Sequence, residues 1–295
     1  MNTSIRRIIV HNGTFHADDV LCVAMVQLIN PDVVVDRMSR SQLPDDMVDD
    51  TIVADIGCGK YDHHQINAKL RDDGKKYAAC GLLLQDLEYA LFGTSAPPTL
   101  IEHIRQIEDY DNKVPESKED FLSRFVRLCN PEWDDDVVKM QYDKLFEDTV
   151  AQVRDHFLKP YIYDRFLSET NKLYFSTRIL ELAKKHDLAE QRASTAILKA
   201  LQESNGYVVI LHSRLPWYNF LIPSSALFVI NPSNRGGFHL QCIPKQQGSN
   251  VFKQLLPVSW LTEPPSGCDF VHNRLFIASF SNCHDAVKAA YDITI

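Results

Sequence analysis

The chain has 295 residues, 45% of them hydrophobic and 24% charged, with a formal net charge of -8 at neutral pH. This is the composition of a soluble globular protein with a full core, long enough for one large or two ordinary domains. It excludes a membrane span, because no run approaches the ~18 to 20 apolar residues one needs, and it argues against non-specific duplex nucleic-acid binding, which relies on a basic surface. The seven cysteines are scattered and lack a Cys-x-x-Cys pair, which fits reduced thiols rather than a disulfide scaffold or a zinc ribbon. Met1 to Arg6 leaves no room for a secretory segment, and an Arg- and Ser-rich transit peptide is absent, so the expected compartment is the cytoplasm. The acidic runs Asp45 to Asp50 and Asp134 to Asp136 read as solvated loops and helix starts.

Taken in chain order, Ile5 to Val10 reads as a β-branched strand ending at His11. After a turn at Gly13, Val20 to Leu28 reads as an apolar helix with Asp18 and Asp19 at its start, where the macrodipole favours acids. Val33 to Asp36 and Thr51 to Asp55 read as two further strands, and strand–helix–strand at this spacing implies βαβ crossovers in a parallel sheet. Helices are expected at Gly81 to Leu91, Thr99 to Glu108, Phe121 to Leu128 and Val137 to His156, with a turn at Asn130 to Trp133. From Pro160 to Glu203 the chain reads as helical and charged, clearest at Ile179 to Lys185 and Ala193 to Leu201. Past Gly206 the character shifts to short strands at Tyr207 to Leu211, Ala226 to Ile230, Phe238 to Ile243 and Leu275 to Phe280, then a helix at Cys283 to Tyr291. The fold class is α/β: a parallel-sheet domain over residues 1–160, then a helical connection and a smaller α/β domain over 161–295.

The chemistry concentrates in two short stretches. Tyr61-Asp62-His63-His64-Gln65 follows the third strand, and His11-Asn12-Gly13-Thr14-Phe15-His16-Ala17-Asp18-Asp19 follows the first. Imidazole and carboxylate are ligands that Mn²⁺, Zn²⁺ and Fe²⁺ accept. Parallel strands bring their carboxyl ends together, so His11, His16, Asp18, Asp55, His63 and Asp111 can converge there. Three carboxylates and three imidazoles suit two divalent metals, one carboxylate bridging. Taken singly, each has a plainer alternative: Asp18 as a helix cap, His11 as a strand-end residue bonded to backbone, and Asp55 as a turn cap with Gly57. Asp19 reads as a dipole partner rather than a ligand, and spacing alone leaves Asp109 against Asp111 open. Two metals ~3.5 to 4 Å apart activate a water and clamp a phosphoryl centre, which favours phosphoester or phosphoanhydride hydrolysis.

These residues also carry a resemblance. With Val53-Ala-Asp55-Ile-Gly57, Asp109-Tyr-Asp111-Asn112, Leu128-Cys-Asn-Pro-Glu-Trp133, Gly237-Phe-His-Leu-Gln-Cys-Ile-Pro-Lys245 and Gly267-Cys-Asp-Phe-Val-His272, they resemble the MYG1 (UPF0160) family of the DHH phosphoesterase superfamily along nearly the whole chain. The resemblance implies a two-domain DHH-type fold whose N-terminal domain bears two metals, expected to be Mn²⁺, and whose C-terminal domain grips substrate. It implies 3′-5′ exonuclease activity on RNA or short single-stranded oligonucleotides. His11, His16, Asp18, Asp55, His63 and Asp111 are the implied ligands, with Asp55 as bridge. His64 is the implied phosphate contact or proton donor, and Asp62 the group that orients the His pair. Where most enzymes of the superfamily have Asp, this chain has His16. The Gly-Gly-Gly-His signature is absent as well, leaving Arg235-Gly236-Gly237, Lys245 and His272 as the nearest phosphate-gripping candidates. A plain hairpin turn at Asn234 to Gly237 explains those glycines equally well. The alternatives are a small-molecule phosphohydrolase acting on pyrophosphate or a cyclic dinucleotide, and a metal-stabilised binding module without turnover. The oligomeric state stays open, a homodimer among the options.

Overall fold

The structure is a computed structural model that describes residues 5–44, 48–133, 139–233, 236–247 and 249–294. The chain divides into two compact units, Met1–Pro131 with Val137–Lys184, and Glu132–Asp136 with Lys185–Ile295. Parts of the two acidic runs, Asp45, Asp46 and Asp134 to Asp136, lie outside the described residues. Among the described residues, no helix is long and apolar enough to cross a membrane.

The first unit is built on a parallel sheet of order β2-β1-β3, from β1 (Arg7–His11), β2 (Val34–Met38) and β3 (Thr51–Val53). Ile8, Ile9 and Val10 of β1 are fully buried, as a central parallel strand requires when both faces are covered. Helix α1 (Ala17–Ile29) is buried at every position from Ala17 to Val26, because Val20-Leu21-Cys22-Val23-Ala24-Met25-Val26 is apolar on all sides. It packs against α2 (Ala79–Phe92), and α3 (Pro98–Asp111) and α4 (Phe121–Cys129) complete that layer. Proline at the start of α3 suits a position whose N–H needs no helical partner. Next come α5 (Lys139–Val153), a π-helical segment at Arg154–Leu158 and the short α6 (Lys159–Tyr163). Phe15, Phe125, Phe146, Phe157 and Phe175 fill the core they enclose.

The helical middle resolves into one helix, α7 (Glu169–Glu203), of 35 residues. No glycine or proline interrupts it, so nothing separates the two segments that stood out in the sequence. The division between the units falls within it.

The second unit holds a mixed sheet of order β4-β5-β6-β8-β7. β4 (Val208–Ile210) runs parallel to β5 (Phe228–Pro232), with the single-turn α8 (Tyr218–Leu221) between them in sequence. β6 (Phe238–Cys242), β7 (Cys268–Val271) and β8 (Ile277–Phe280) are antiparallel. Helix α9 (Cys283–Asp292) covers the face bearing Phe228, Leu240 and Phe280, and Ala193 and Ile197 of α7 pack against Val209 and Val229. β7 is the strand the sequence reading missed. Its Cys-Asp-Phe-Val run has no clean alternation and its pairing is broken by a bulge.

Candidate metal centre

His11 closes β1, and the loop after it is held from outside. Asn130 clamps the Phe15 backbone in both directions, its Oδ1 accepting from the Phe15 amide at 2.9 Å and its Nδ2 donating to the Phe15 carbonyl at 2.9 Å. Arg37 Nη2 donates to the Gly13 carbonyl at 2.6 Å, and its guanidinium lies over the Phe146 ring. Neither role was visible in the sequence, since Asn130 acts across 115 positions.

The two acids at the start of α1 divide their work. Asp19 takes the cap, its Oδ1 accepting from the His16 amide at 3.0 Å. Asp18 turns away from its own helix, and its two oxygens accept from the amides of Ala79 (3.0 Å) and Cys80 (2.6 Å). Those amides open α2 and have no helical partners, so Asp18 caps a different helix from the one it begins. Both acids are fully buried.

Asp55 lies two residues past β3 in the left-handed region, at φ 56°, its amide bonded to the Tyr61 carbonyl. This geometry sends its carboxylate back over the sheet edge, with Oδ2 3.3 Å from His11 Nε2 and Oδ1 3.1 Å from His63 Nε2. Asp111, the last residue of α3, places Oδ2 3.2 Å from the same His63 nitrogen, and Asp18 Oδ2 is 4.0 Å from it. Asp109 points elsewhere, paired with Arg71 and Lys75. Between the two, Asp111 is the carboxylate that joins the cluster. Arg71 is itself buried, donating to Glu108 Oε2 at 2.8 Å and to the Arg105 carbonyl.

Ligand-capable atoms within 4.8 Å of one another form three overlapping groups: His11, His16 and Asp55; Asp55, His63 and His64; Asp18, His63 and Asp111. All six expected ligands therefore sit in one neighbourhood, with Asp55 and His63 each shared by two groups. Asp62 accepts from the amides of Cys58 (2.6 Å) and His64 (3.0 Å) and from His64 Nδ1 at 2.7 Å. It orients His64. His63 is held instead by Asn112, whose Oδ1 is 3.0 Å from its Nδ1.

The electrostatics follow from this crowding. Burial alone pushes the His11 imidazole down, but Asp19 and Asp55 outweigh it and carry its pKa up to about 11. For His63 the carboxylates of Asp55 and Asp18 likewise overcome burial and carry it up to about 9. Burial and the charge on Asp55 raise Asp18 and Asp111. Asp55 is held low by His11 and His63 against the push of burial. Asp62 is held at about 2 because bonds from His64 and the Cys58 amide exceed its desolvation. The imidazoles of His11 and His63 and the carboxylates of Asp18 and Asp111 all shift toward holding more protons, so the pocket draws in positive charge. The buried Asp19 Oδ2 also accepts no well-formed hydrogen bond, although His11 Nε2 is 2.9 Å away. Carboxylates and imidazoles gathered in one pocket, holding protons that a cation can displace, fit divalent cations.

The expected phosphate-gripping residues belong to the second unit. Arg235 lies outside the described residues. Gly236 and Gly237 close the β5–β6 hairpin, Ser233 N donating to the Gly237 carbonyl. A Cβ on Gly237 would sit 2.3 Å from the Phe280 carbonyl, so close packing on β8 demands glycine there. Lys245 follows β6 and is exposed. His272 starts the β7–β8 turn, where its Nδ1 accepts from the Arg274 amide at 3.0 Å and its ring lies 4.3 Å from Phe276.

The fold and the site together define an α/β protein whose parallel-sheet edge gathers a His/Asp cluster, exposed at His16 and His64, that is able to hold divalent cations. Residues 7–96 and 101–292 match the family described as an uncharacterised protein family (UPF0160), of the MYG1 exonuclease type. The chain belongs to that family. It is 25% identical to the mouse protein named MYG1 exonuclease, the alignment covering 96% of this chain and 83% of the mouse one. The human protein of the same name is 24% identical, with 96% and 84% covered. A Dictyostelium discoideum MYG1 protein is 23% identical over 92% of this chain and 91% of its own. No solved structure matches the chain.

Proposed function

We propose that this protein is a metal-dependent phosphoesterase of DHH type, acting in the cytoplasm as a 3′-5′ exonuclease on RNA or short single-stranded oligonucleotides. The observation that carries this reading is the set of three donor groups linked at one sheet edge, the first two through Asp55 and the last two through His63. Membership of a family whose mammalian relatives are named exonucleases supports it. His11, His16, Asp18, Asp55, His63 and Asp111 would hold two divalent cations, Mn²⁺ being the expected one, with Asp55 shared. When bound, such a pair lowers the pKa of a water and neutralises phosphoryl charge.

The chain's own groups divide the remaining work. Asp62 accepts the Nδ1 proton of His64, so the Nε2 of that ring is the atom left to meet a substrate phosphate or pass a proton. The His64 side chain is 62% exposed, against 6% for His63, which suits the one for substrate and the other for the buried centre. Arg235, Gly236, Gly237, Lys245 and His272 are the proposed substrate contacts of the second unit.

The test is a hydrolysis panel with added Mn²⁺ on a length series of RNA and DNA, on cyclic dinucleotides and on pyrophosphate. Stepwise shortening of single strands from the 3′ end is expected. Asp55→Asn and His63→Ala should each lower turnover by at least about 10²-fold, the equivalent of a few kcal/mol of transition-state stabilisation. Turnover confined to pyrophosphate or dinucleotides would replace the exonuclease reading with a small-molecule one. Full activity in either variant would overturn the site.

A further inference from the structure

Asn112 follows Asp111 directly, and its side-chain amide can be oriented from its partners. Nδ2 lies 3.3 Å from the Lys76 carbonyl, 3.2 Å from that of Tyr77 and 3.0 Å from that of Glu108. Carbonyl oxygens only accept, so the NH₂ must face them; the flipped amide would set its oxygen against three others. Oδ1 therefore faces His63 Nδ1 at 3.0 Å. An amide oxygen also only accepts, so Nδ1 carries a proton. The nitrogen left to offer a lone pair is Nε2, which stands 3.1 Å from Asp55 Oδ1 and 3.2 Å from Asp111 Oδ2.

We infer that Asn112 is a positioning residue which keeps the His63 proton on Nδ1, so that Nε2 is the atom presented to a cation. This rests on the reading of the cluster as a metal centre. The same side chain joins three segments that carry the site. It binds His63 on one side, Lys76 and Tyr77 on another, just before the α2 amides that hold Asp18, and it ends the helix that delivers Asp111. Its backbone amide completes that end by donating to the Glu108 carbonyl at 2.9 Å. One residue thus fixes the tautomer of one ligand and the placement of its neighbour in sequence. Partners that hold the far nitrogen of a ligating histidine are worth about 10- to 100-fold in metal affinity.

The experiment uses the full chain and two probes, Mn²⁺ for affinity and diamagnetic Zn²⁺ for ¹⁵N spectra of the histidine rings. In the wild type, His63 should show a protected, hydrogen-bonded Nδ1–H with and without Zn²⁺. Asn112→Leu should lose that protection and bind Mn²⁺ about 10- to 100-fold more weakly. Asn112→Asp keeps an acceptor at Nδ1 but turns its other oxygen toward the three carbonyls that the amide satisfied, so it should lose stability while retaining the protected proton and binding Mn²⁺ more tightly than the leucine variant. A purely structural role would shift stability alone and leave both signatures unmoved. Wild-type Mn²⁺ affinity in Asn112→Leu overturns the inference. So does a wild-type spectrum with the sole His63 proton on Nε2, which decides the matter even if the leucine variant does not fold. A wild type that binds no Mn²⁺ sinks the metal reading instead, while the metal-free spectrum still tests the Asn112 bond.

Discussion

Gly81→Ala probes how tightly α2 and α3 are locked beneath the site. Gly81 stands in the first turn of α2, where helix propensity alone credits alanine with about 1 kcal/mol over glycine. Packing argues the opposite. An added Cβ would sit 1.8 Å from Glu108 Oε1, 2.8 Å from its Cδ and 3.1 Å from Tyr77 Cδ1. Glu108 has little freedom to retreat, because it is buried, Oε2 accepts from Arg71 at 2.8 Å and Oε1 from the Ala78 amide at 3.2 Å. Displacing it breaks a buried ion pair, a loss of about 3–5 kcal/mol. Set against the propensity gain, the net destabilisation is about 2–4 kcal/mol. For a unit of this size that lowers Tm by roughly 4–16 °C. Guanidinium and thermal unfolding followed by circular dichroism would read it. Gly59→Ala is the control, since nothing lies within 4 Å of a Cβ there, and it should stay within about 0.5 kcal/mol of wild type. A Gly81→Ala protein as stable as wild type would refute the reasoning.

Other consequences are as direct. Burial raises the Glu108 carboxyl from 4.5 to about 7, against the pull of Arg71. A raised carboxyl contributes stability fully present below its unfolded value and lost as pH climbs through the folded one. Unfolding free energy should therefore carry a falling component between pH 4.5 and about 7, at most about 1.4 kcal/mol per unit, and Glu108→Gln should flatten it; parallel wild-type and variant profiles would count against the shift. Asn130→Ala frees the Phe15 backbone at both ends, so denaturant unfolding should show a loss of about 1–3 kcal/mol, and calorimetry weaker Mn²⁺ binding through the His11–His16 loop. Mn²⁺ at 100 times its Kd should raise stability by about 2.7 kcal/mol, reversed by chelator, and a Tm indifferent to both would deny a native metal site.

Much of the site was legible because its residues are out of place by any other logic. His11 and His16 flank a turn between an apolar strand and an apolar helix, and Asp62-His63-His64 offers a core nothing. Chain order and the strand-end rule then brought six separated residues to one edge. The choice between Asp109 and Asp111 was illegible in the spacing and came only from the family resemblance, since it hangs on Arg71 and Lys75 reaching across more than thirty positions to occupy the first. Asp18 reads from the sequence as a ligand, with a cap on its own helix as the plain alternative, and only tertiary packing reveals that it caps α2. Asn130 reads as an ordinary turn residue and Asn112 draws no reading of its own, because an amide that satisfies distant backbone carries no periodic signal. In the second unit, β7 was too short and too irregular to stand out.

The backbone at position 55 narrows the alphabet before chemistry is consulted. A φ of 56° is open to glycine, asparagine and aspartate at little expense and disfavours other side chains by about 1–2 kcal/mol. Only aspartate among those three brings a charge. The residue is thus specified twice, once by the shape of the chain and once by what its oxygens face. Asparagine is the one replacement that keeps the shape with a polar side chain of nearly the same outline. An alanine scan would report strain and lost charge together here, whereas Asp55→Asn keeps the backbone shape and reads the lost charge with one acceptor turned donor.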